Sequence, residues 1–121
     1  MKDLPGCYRV IVPYMSPYPE PLVFRQRDRV AVGDEFADDP DWPNWRWCER
    51  ADGLTAWVPE QFLVIQGSEG VFTRDYNALE LSVAVGDELV IHEEVNGFGM
   101  AETADGRRGW VPMKHLAACQ V

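Results

Sequence analysis

The sequence predicts an all-β protein in which one small unit is written twice. Apolar residues fall in short alternating runs broken by Pro and Gly, never at i, i+3, i+4, i+7 over a dozen residues, which excludes amphipathic helix. Ala51-Asp52-Gly53 recurs as Ala104-Asp105-Gly106, and Trp57-Val58-Pro59 as Trp110-Val111-Pro112, each 53 residues apart. Recurrence at a fixed spacing is the mark of a duplicated structural unit.

A second register completes the repeat. Val32-Gly33-Asp34-Glu35 also recurs, as Val85-Gly86-Asp87-Glu88, but pairing those runs would strand Leu22, Val23 and Phe24 in a long irregular loop. Leu22-Val23-Phe24 followed by Asp28 instead matches Leu81-Ser82-Val83 followed by Asp87, 59 residues on. This register aligns Val30 and Val32 with Leu89 and Ile91 and keeps the two-residue period that turns one face of a strand inward.

Each Asp-Gly pair predicts a hairpin with a two-residue type I′ turn, because Gly and Asp tolerate the positive φ such a turn needs. Strands follow at 45–50 and 54–58 in the first repeat and at 98–103 and 107–111 in the second. Pro59 and Pro112 take the chain out of the ladder, and the residues after each suit one 3₁₀ turn before last strands at 63–65 and 116–118. Gln66-Gly67-Ser68-Glu69-Gly70 is polar and Gly-rich, so the expected domains are 1–65 and 71–121 with a linker at 66–70. Five residues reach about 17 Å, which predicts a closely packed pair.

Two units of some sixty residues are small but able to fold alone. Five Trp, four Tyr and five Phe are many for 121 residues. The net charge of −9 repels phosphate backbones and anionic headgroups, so neither nucleic acid nor membrane is an expected partner. Cys7, Cys48 and Cys119 are odd in number and include no C-x-x-C pair, which suggests neither a disulfide framework nor a zinc site. No metal or other cofactor is expected. No apolar leader segment follows Met1-Lys2-Asp3-Leu4-Pro5-Gly6 and no apolar run approaches eighteen residues; with unpaired cysteines this reads as a cytoplasmic protein.

The order of motifs resembles the SH3 family over residues 8–65 and 71–118. Val10-Ile11-Val12-Pro13-Tyr14 stands in the family's first strand, with a seven-residue first loop before Leu22; Asn44-Trp45-Arg46-Trp47-Cys48 opens the third strand with an aromatic pair. Trp57, Pro59 and Phe62 stand where the family completes its groove. In the second repeat, Phe72-Thr73-Arg74-Asp75-Tyr76 keeps Tyr76, the loop to Leu81 is three residues shorter, Phe98 replaces the Trp and His115 the last aromatic. The first repeat departs at Val12 for the first groove Tyr, Arg27 for the turn Gly, and Pro21 for the loop acid, beside Glu20. The resemblance implies two SH3-like five-stranded barrels in tandem, binding a protein or peptide ligand, Pro-rich or basic, as monomer or homodimer.

The implied first groove comprises Tyr14, Tyr18, Glu20, Asp39, Trp42, Trp45, Trp57, Pro59 and Phe62. A second groove would comprise Tyr76, Glu80, Phe98, Trp110, Pro112 and His115. So many rings exceed what a sixty-residue barrel can enclose, and aromatic walls flanked by acids such as Asp38, Asp39 and Asp41 suit a polyproline II peptide with basic flanks. Trp45 and Trp42, in a Pro- and Asp-rich stretch, are the expected exposed rings, whereas Trp47, Trp57 and Trp110 equally suit core or inter-repeat packing. The alternative is a structural or self-associating protein whose aromatic surfaces are buried between repeats or in a homodimer. His92 and His115 lack the Ser, Cys or paired His that nucleophilic or metal chemistry needs, so no enzyme is expected.

Overall fold

The computed structural model describes residues 4–119, so Met1, Lys2 and Asp3 of the leader reading lie outside the described residues. Twelve strands form among the described residues: β1 Gly6–Val10, β2 Val23–Phe24, β3 Arg29–Glu35, β4 Trp45–Glu49, β5 Thr55–Pro59, β6 Leu63–Gln66, β7 Glu69–Phe72, β8 Tyr76–Asn77, β9 Glu88–Val95, β10 Phe98–Glu102, β11 Arg108–Pro112 and β12 Leu116–Ala118. Two 3₁₀ turns, Glu60–Phe62 and Met113–His115, each follow a proline, and no α-helix occurs among the described residues. The fold is all-β and consistent with an SH3-like arrangement.

The two hairpins form where the Asp-Gly pairs stand, but the two-residue turn is corrected: each turn has three residues, 51–53 and 104–106, and only its glycine, not its aspartate, takes positive φ. Gly53 and Gly106 adopt φ of 87° and 89°, and the Arg50 and Thr103 N–H groups donate to the Leu54 and Arg107 carbonyls, both at 2.9 Å. The 59-residue register holds as well. Val30, Val32, Leu89 and Ile91 are all buried. The Asp28 carboxylate accepts the Arg25 N–H at 2.9 Å, as Asp87 accepts that of Ala84 at 2.9 Å.

The domain boundary lies elsewhere than expected. The chain divides into one compact unit of Met1–Glu20 with Leu79–Val121 and another of Pro21–Ala78. Residues 66–70 are no linker: β6 and β7 pair as a hairpin in register Gln66↔Glu69, turned by Gly67 at φ 60° and Ser68. A Gly-first two-residue turn matches the right-handed twist of its strands, so the end of the first repeat and the start of the second become sheet neighbours.

The first strands of the two repeats are therefore exchanged. Unit 1 has the sheet order β11-β10-β9-β1-β12 and unit 2 the order β5-β4-β3-β7-β6, with a two-stranded β2-β8 ladder. Reciprocity extends to single bonds. The Val10 N–H donates to Asp87 O and the Phe72 N–H to Asp28 O, both at 2.9 Å. Tyr14 bridges Val83, as Tyr76 pairs with Phe24.

Each unit has its own core. In unit 1 it gathers Tyr8, Val10, Leu81, Leu89, Ile91, Ala101, Val111 and Leu116. In unit 2, Phe24 stacks on Phe72 with ring centres 4.7 Å apart, and Cys48 and Val58 are fully buried. Burial pushes the Cys48 thiol up to about 11, which keeps it protonated and unreactive.

The cysteine expectation is corrected. Cys7 and Cys119 form a disulfide across β1 and the residue after β12, 112 residues apart in sequence. Counting and local spacing could not reveal a pair that only the sheet brings together. The case for a reducing compartment thereby loses its premise.

Arg27 takes φ 78°, where Gly86 at φ 95° holds the matching turn in the second repeat. A side chain in that left-handed region is strained. Arg27→Gly should raise the urea midpoint, at unchanged m, by about 0.5–1 kcal/mol of stability; an unchanged or lowered midpoint would contradict strain at this turn.

Candidate peptide-binding site

The exchange redistributes the predicted site residues. Tyr14, Tyr18 and Glu20 belong to unit 1, whereas Asp39, Trp42, Trp45, Trp57, Pro59 and Phe62 belong to unit 2. Of the second set, Tyr76 lies in unit 2, and Glu80, Phe98, Trp110, Pro112 and His115 lie in unit 1. Each predicted groove is thus divided between the units, and each unit takes its first-loop tyrosine from the other repeat.

Unit 1 assembles Tyr14, Tyr18, Glu80, Trp110 and His115. The Tyr14 ring meets His115 edge-on at 5.5 Å, and its hydroxyl donates to Glu80 Oε1 at 2.5 Å. The Glu80 N–H donates to the Tyr18 carbonyl at 2.9 Å. The Trp110 N–H donates to the Leu79 carbonyl, and Trp110 O accepts from Leu81 N–H. Ser16, buried, fixes the loop by donating its N–H to Ser82 Oγ and accepting the Tyr18 N–H on its own Oγ. Glu20 is exposed, while Phe98 and Pro112 face each other as a buried cross-strand pair.

Unit 2 assembles Trp45, Trp57, Pro59, Phe62 and Tyr76. Trp45 and Pro59 are directly opposed across β4 and β5, and both are buried. Tyr76 meets Phe62 edge-on at 5.6 Å and donates its hydroxyl to the Trp57 carbonyl at 2.7 Å. The expectation that Trp45 is an open ligand-contacting ring is corrected: it is only 6% exposed. Its backbone carbonyl holds the Phe36 N–H at 2.8 Å, which closes the loop of residues 36–45 onto the start of β4.

Trp42, the other ring expected to be exposed, stays half-exposed, as do Phe36, Trp47 and Trp57. Trp47 and Trp57 pair across β4 and β5 with centres 4.9 Å apart. Phe36 meets Trp57 edge-on at 5.2 Å, and Trp42 lies 6.0 Å from Phe36. Four rings so form a continuous chain on unit 2. Asp34, Glu35, Asp38, Asp39 and Asp41 crowd the adjoining segment, with no Lys or Arg from residue 30 to residue 45. Asp39 shapes that segment by accepting the Asp41 N–H on its carboxylate and the Trp42 N–H on its carbonyl.

Sequence reading missed Phe36 and undervalued Trp47. The signal was present for Trp47, since residues i and i+2 of a strand share a face and Trp45 had been singled out. His92 Nε2 lies 2.8 Å from Glu102 Oε1, which Arg108 also contacts at 2.9 Å.

Comparison with protein families finds a match over part of the chain. Residues 70–119 match the variant SH3 domain. This SH3-type stretch begins in β7 and ends just after β12, so it follows the chain across the exchange. Comparisons with curated proteins and with solved structures found no match. SH3-type domains are typically non-catalytic and bind protein or peptide ligands, and no helix among the described residues is long and apolar enough to cross a membrane.

Burial raises the Glu80 carboxyl above its ordinary value, an effect the Tyr14 hydrogen bond only partly opposes, and the same burial and carboxylate push the Tyr14 phenol upward. An acid raised by folding binds its proton more tightly in the native state. Stability therefore falls as pH rises from the ordinary Glu value, about 4.3, through the raised one. Glu80→Gln keeps an acceptor for Tyr14 and removes the buried charge. It should raise the thermal midpoint at pH 7, with the gain shrinking toward pH 4; a lower midpoint at pH 7 would show that the charge is stabilising. Trp45→Ala removes a buried ring and should cost about 3 kcal/mol or more in denaturant unfolding; a loss under 1 kcal/mol would mean the ring is not packed.

Proposed function

We propose that this chain is a non-enzymatic protein-interaction module whose ligand surface is the half-exposed ring chain Trp42, Phe36, Trp57 and Trp47 of unit 2, bordered by the acidic segment 34–41. The observation that carries this reading is the joint presence of four linked rings and of five carboxylates in residues 34–41, a stretch without Lys or Arg, in which Glu35 has a cation, Arg46, opposite it across β3 and β4. Ring faces carry negative quadrupoles, so a guanidinium or ammonium near them gains from both the rings and the carboxylates. Prolines of an extended peptide pack between rings at little entropic cost, because the polyproline II helix is already ordered. A basic, Pro-containing peptide satisfies both halves of the surface.

The tandem-adaptor reading follows with one change: unit 2, completed by the first strand of the second repeat, is the binding unit. Self-association through the same rings is disfavoured by charge. A second copy brings another net −9 and the same acidic segment against the first.

Titration with a synthetic peptide of repeated Pro-Pro-Arg, followed by Trp fluorescence, tests the proposal. Trp57→Ala should weaken binding by tenfold or more, and so should the surface double change Asp38→Lys with Asp41→Lys; affinity should also fall as salt is raised. Equal affinity of the double variant and wild type would remove the acidic segment from the site. Equal affinity of Trp57→Ala would remove the rings.

A further inference from the structure

Three chemistry-bearing side chains outside the proposed ligand surface converge on the outer face of unit 1. Cys7 in β1, Glu88 in β9 and Cys119 after β12 bring their sulfur and carboxylate atoms within 4.8 Å of one another. Cys119 Sγ lies 4.0 Å from Glu88 Oε2. Sheet register produces the convergence. Cys7 opposes Val90, Glu88 opposes Arg9, and the Tyr8↔Ala118 pair sets Cys7 beside Cys119, whose N–H donates to the Cys7 carbonyl at 3.0 Å.

The position matters because β1 is the exchanged strand. Its partners β9 and β12 lie far along the chain, and Cys7–Cys119 is the covalent tie that fastens it to β12. Under reducing conditions that tie is lost. We propose that in the reduced protein Cys7, Cys119 and Glu88 form a site for Zn²⁺ or a similar thiolate-binding divalent cation, so that metal and disulfide are alternative fasteners of the same strand.

The chemistry balances. A dithiol reductant supplies two electrons and two protons: the Cys7–Cys119 bond breaks to two thiols while the reductant closes its own disulfide. The cation then displaces both thiol protons and takes two thiolates and the Glu88 carboxylate, with water in the fourth position. Tetrahedral zinc has Zn–S near 2.3 Å and Zn–O near 2.0–2.2 Å, which places neighbouring ligand atoms about 3.4–3.8 Å apart. The present sulfur-to-carboxylate distance of 4.0 Å is close to that, and the Cα atoms, 5.4 Å apart, allow the sulfurs to separate by side-chain rotation. Arg9 Nη2 lies 3.1 Å from Glu88 Oε2 and would release it on metal binding. Cys48, buried in unit 2, takes no part.

Cobalt(II) added to the full chain after reduction by a phosphine, with the oxidised chain as control, tests the site. One equivalent should give a thiolate-to-cobalt charge-transfer band and the visible bands of a four-coordinate centre, both bleached by Zn²⁺ and absent from the oxidised chain. Cys7→Ser should abolish the bands, Glu88→Gln should weaken binding by tenfold or more, and Cys48→Ala should leave them unchanged, with circular dichroism confirming that each variant is folded. The proposal fails if the reduced wild type shows no charge-transfer band, if Cys7→Ser retains it, or if Glu88→Gln binds as tightly as wild type.

Discussion

The two-residue turn at Gly67 and Ser68 governs the topology of this protein. It joins the last strand of the first repeat to the first strand of the second so closely that the two can only lie side by side as an antiparallel hairpin. Once β7 occupies the place beside β6 and β3, the corresponding place beside β12 and β9 is open, and β1 fills it.

Exchange changes what each unit can present. Tyr14 packs in unit 1 against residues of the second repeat and Tyr76 in unit 2 against residues of the first, so the acid at Glu80 meets Tyr14 rather than Tyr76. That contact is internal, a phenol donating to a part-buried carboxylate. In unit 2, by contrast, Tyr76 turns its hydroxyl to the Trp57 backbone, and the outer rings are left half-exposed beside the acidic segment. The asymmetry between the two surfaces thus follows from side-chain identity on a shared backbone plan.

The fastening of β1 belongs to the same economy of structure. A strand far in sequence from its sheet neighbours closes long loops when it docks and gains entropy when it detaches. Cys7 and Cys119 stand opposite each other at the place where a cross-link opposes that loss, with Glu88 alongside.

Local signals were legible in the sequence because they depend on neighbours along the chain. Asp-Gly turns, Trp-Val-Pro strand ends, the 3₁₀ turns and the buried alternation of Val30, Val32, Leu89 and Ile91 all emerge where residue type and period place them. The partner of each strand was not legible, since a strand's hydrogen-bonding edges carry no address and either first strand fits either sheet. Residues 66–70 read as a linker because a polar, Gly-rich composition suits both linkers and tight turns, and only the pairing of β6 with β7 makes Gly67-Ser68 a hairpin turn. Burial of Trp45 and exposure of Trp47, two residues apart on one face, were likewise decided by what the loop from Phe36 packs against. The Cys7–Cys119 pair arose the same way, from a sheet register that no spacing along the chain contains.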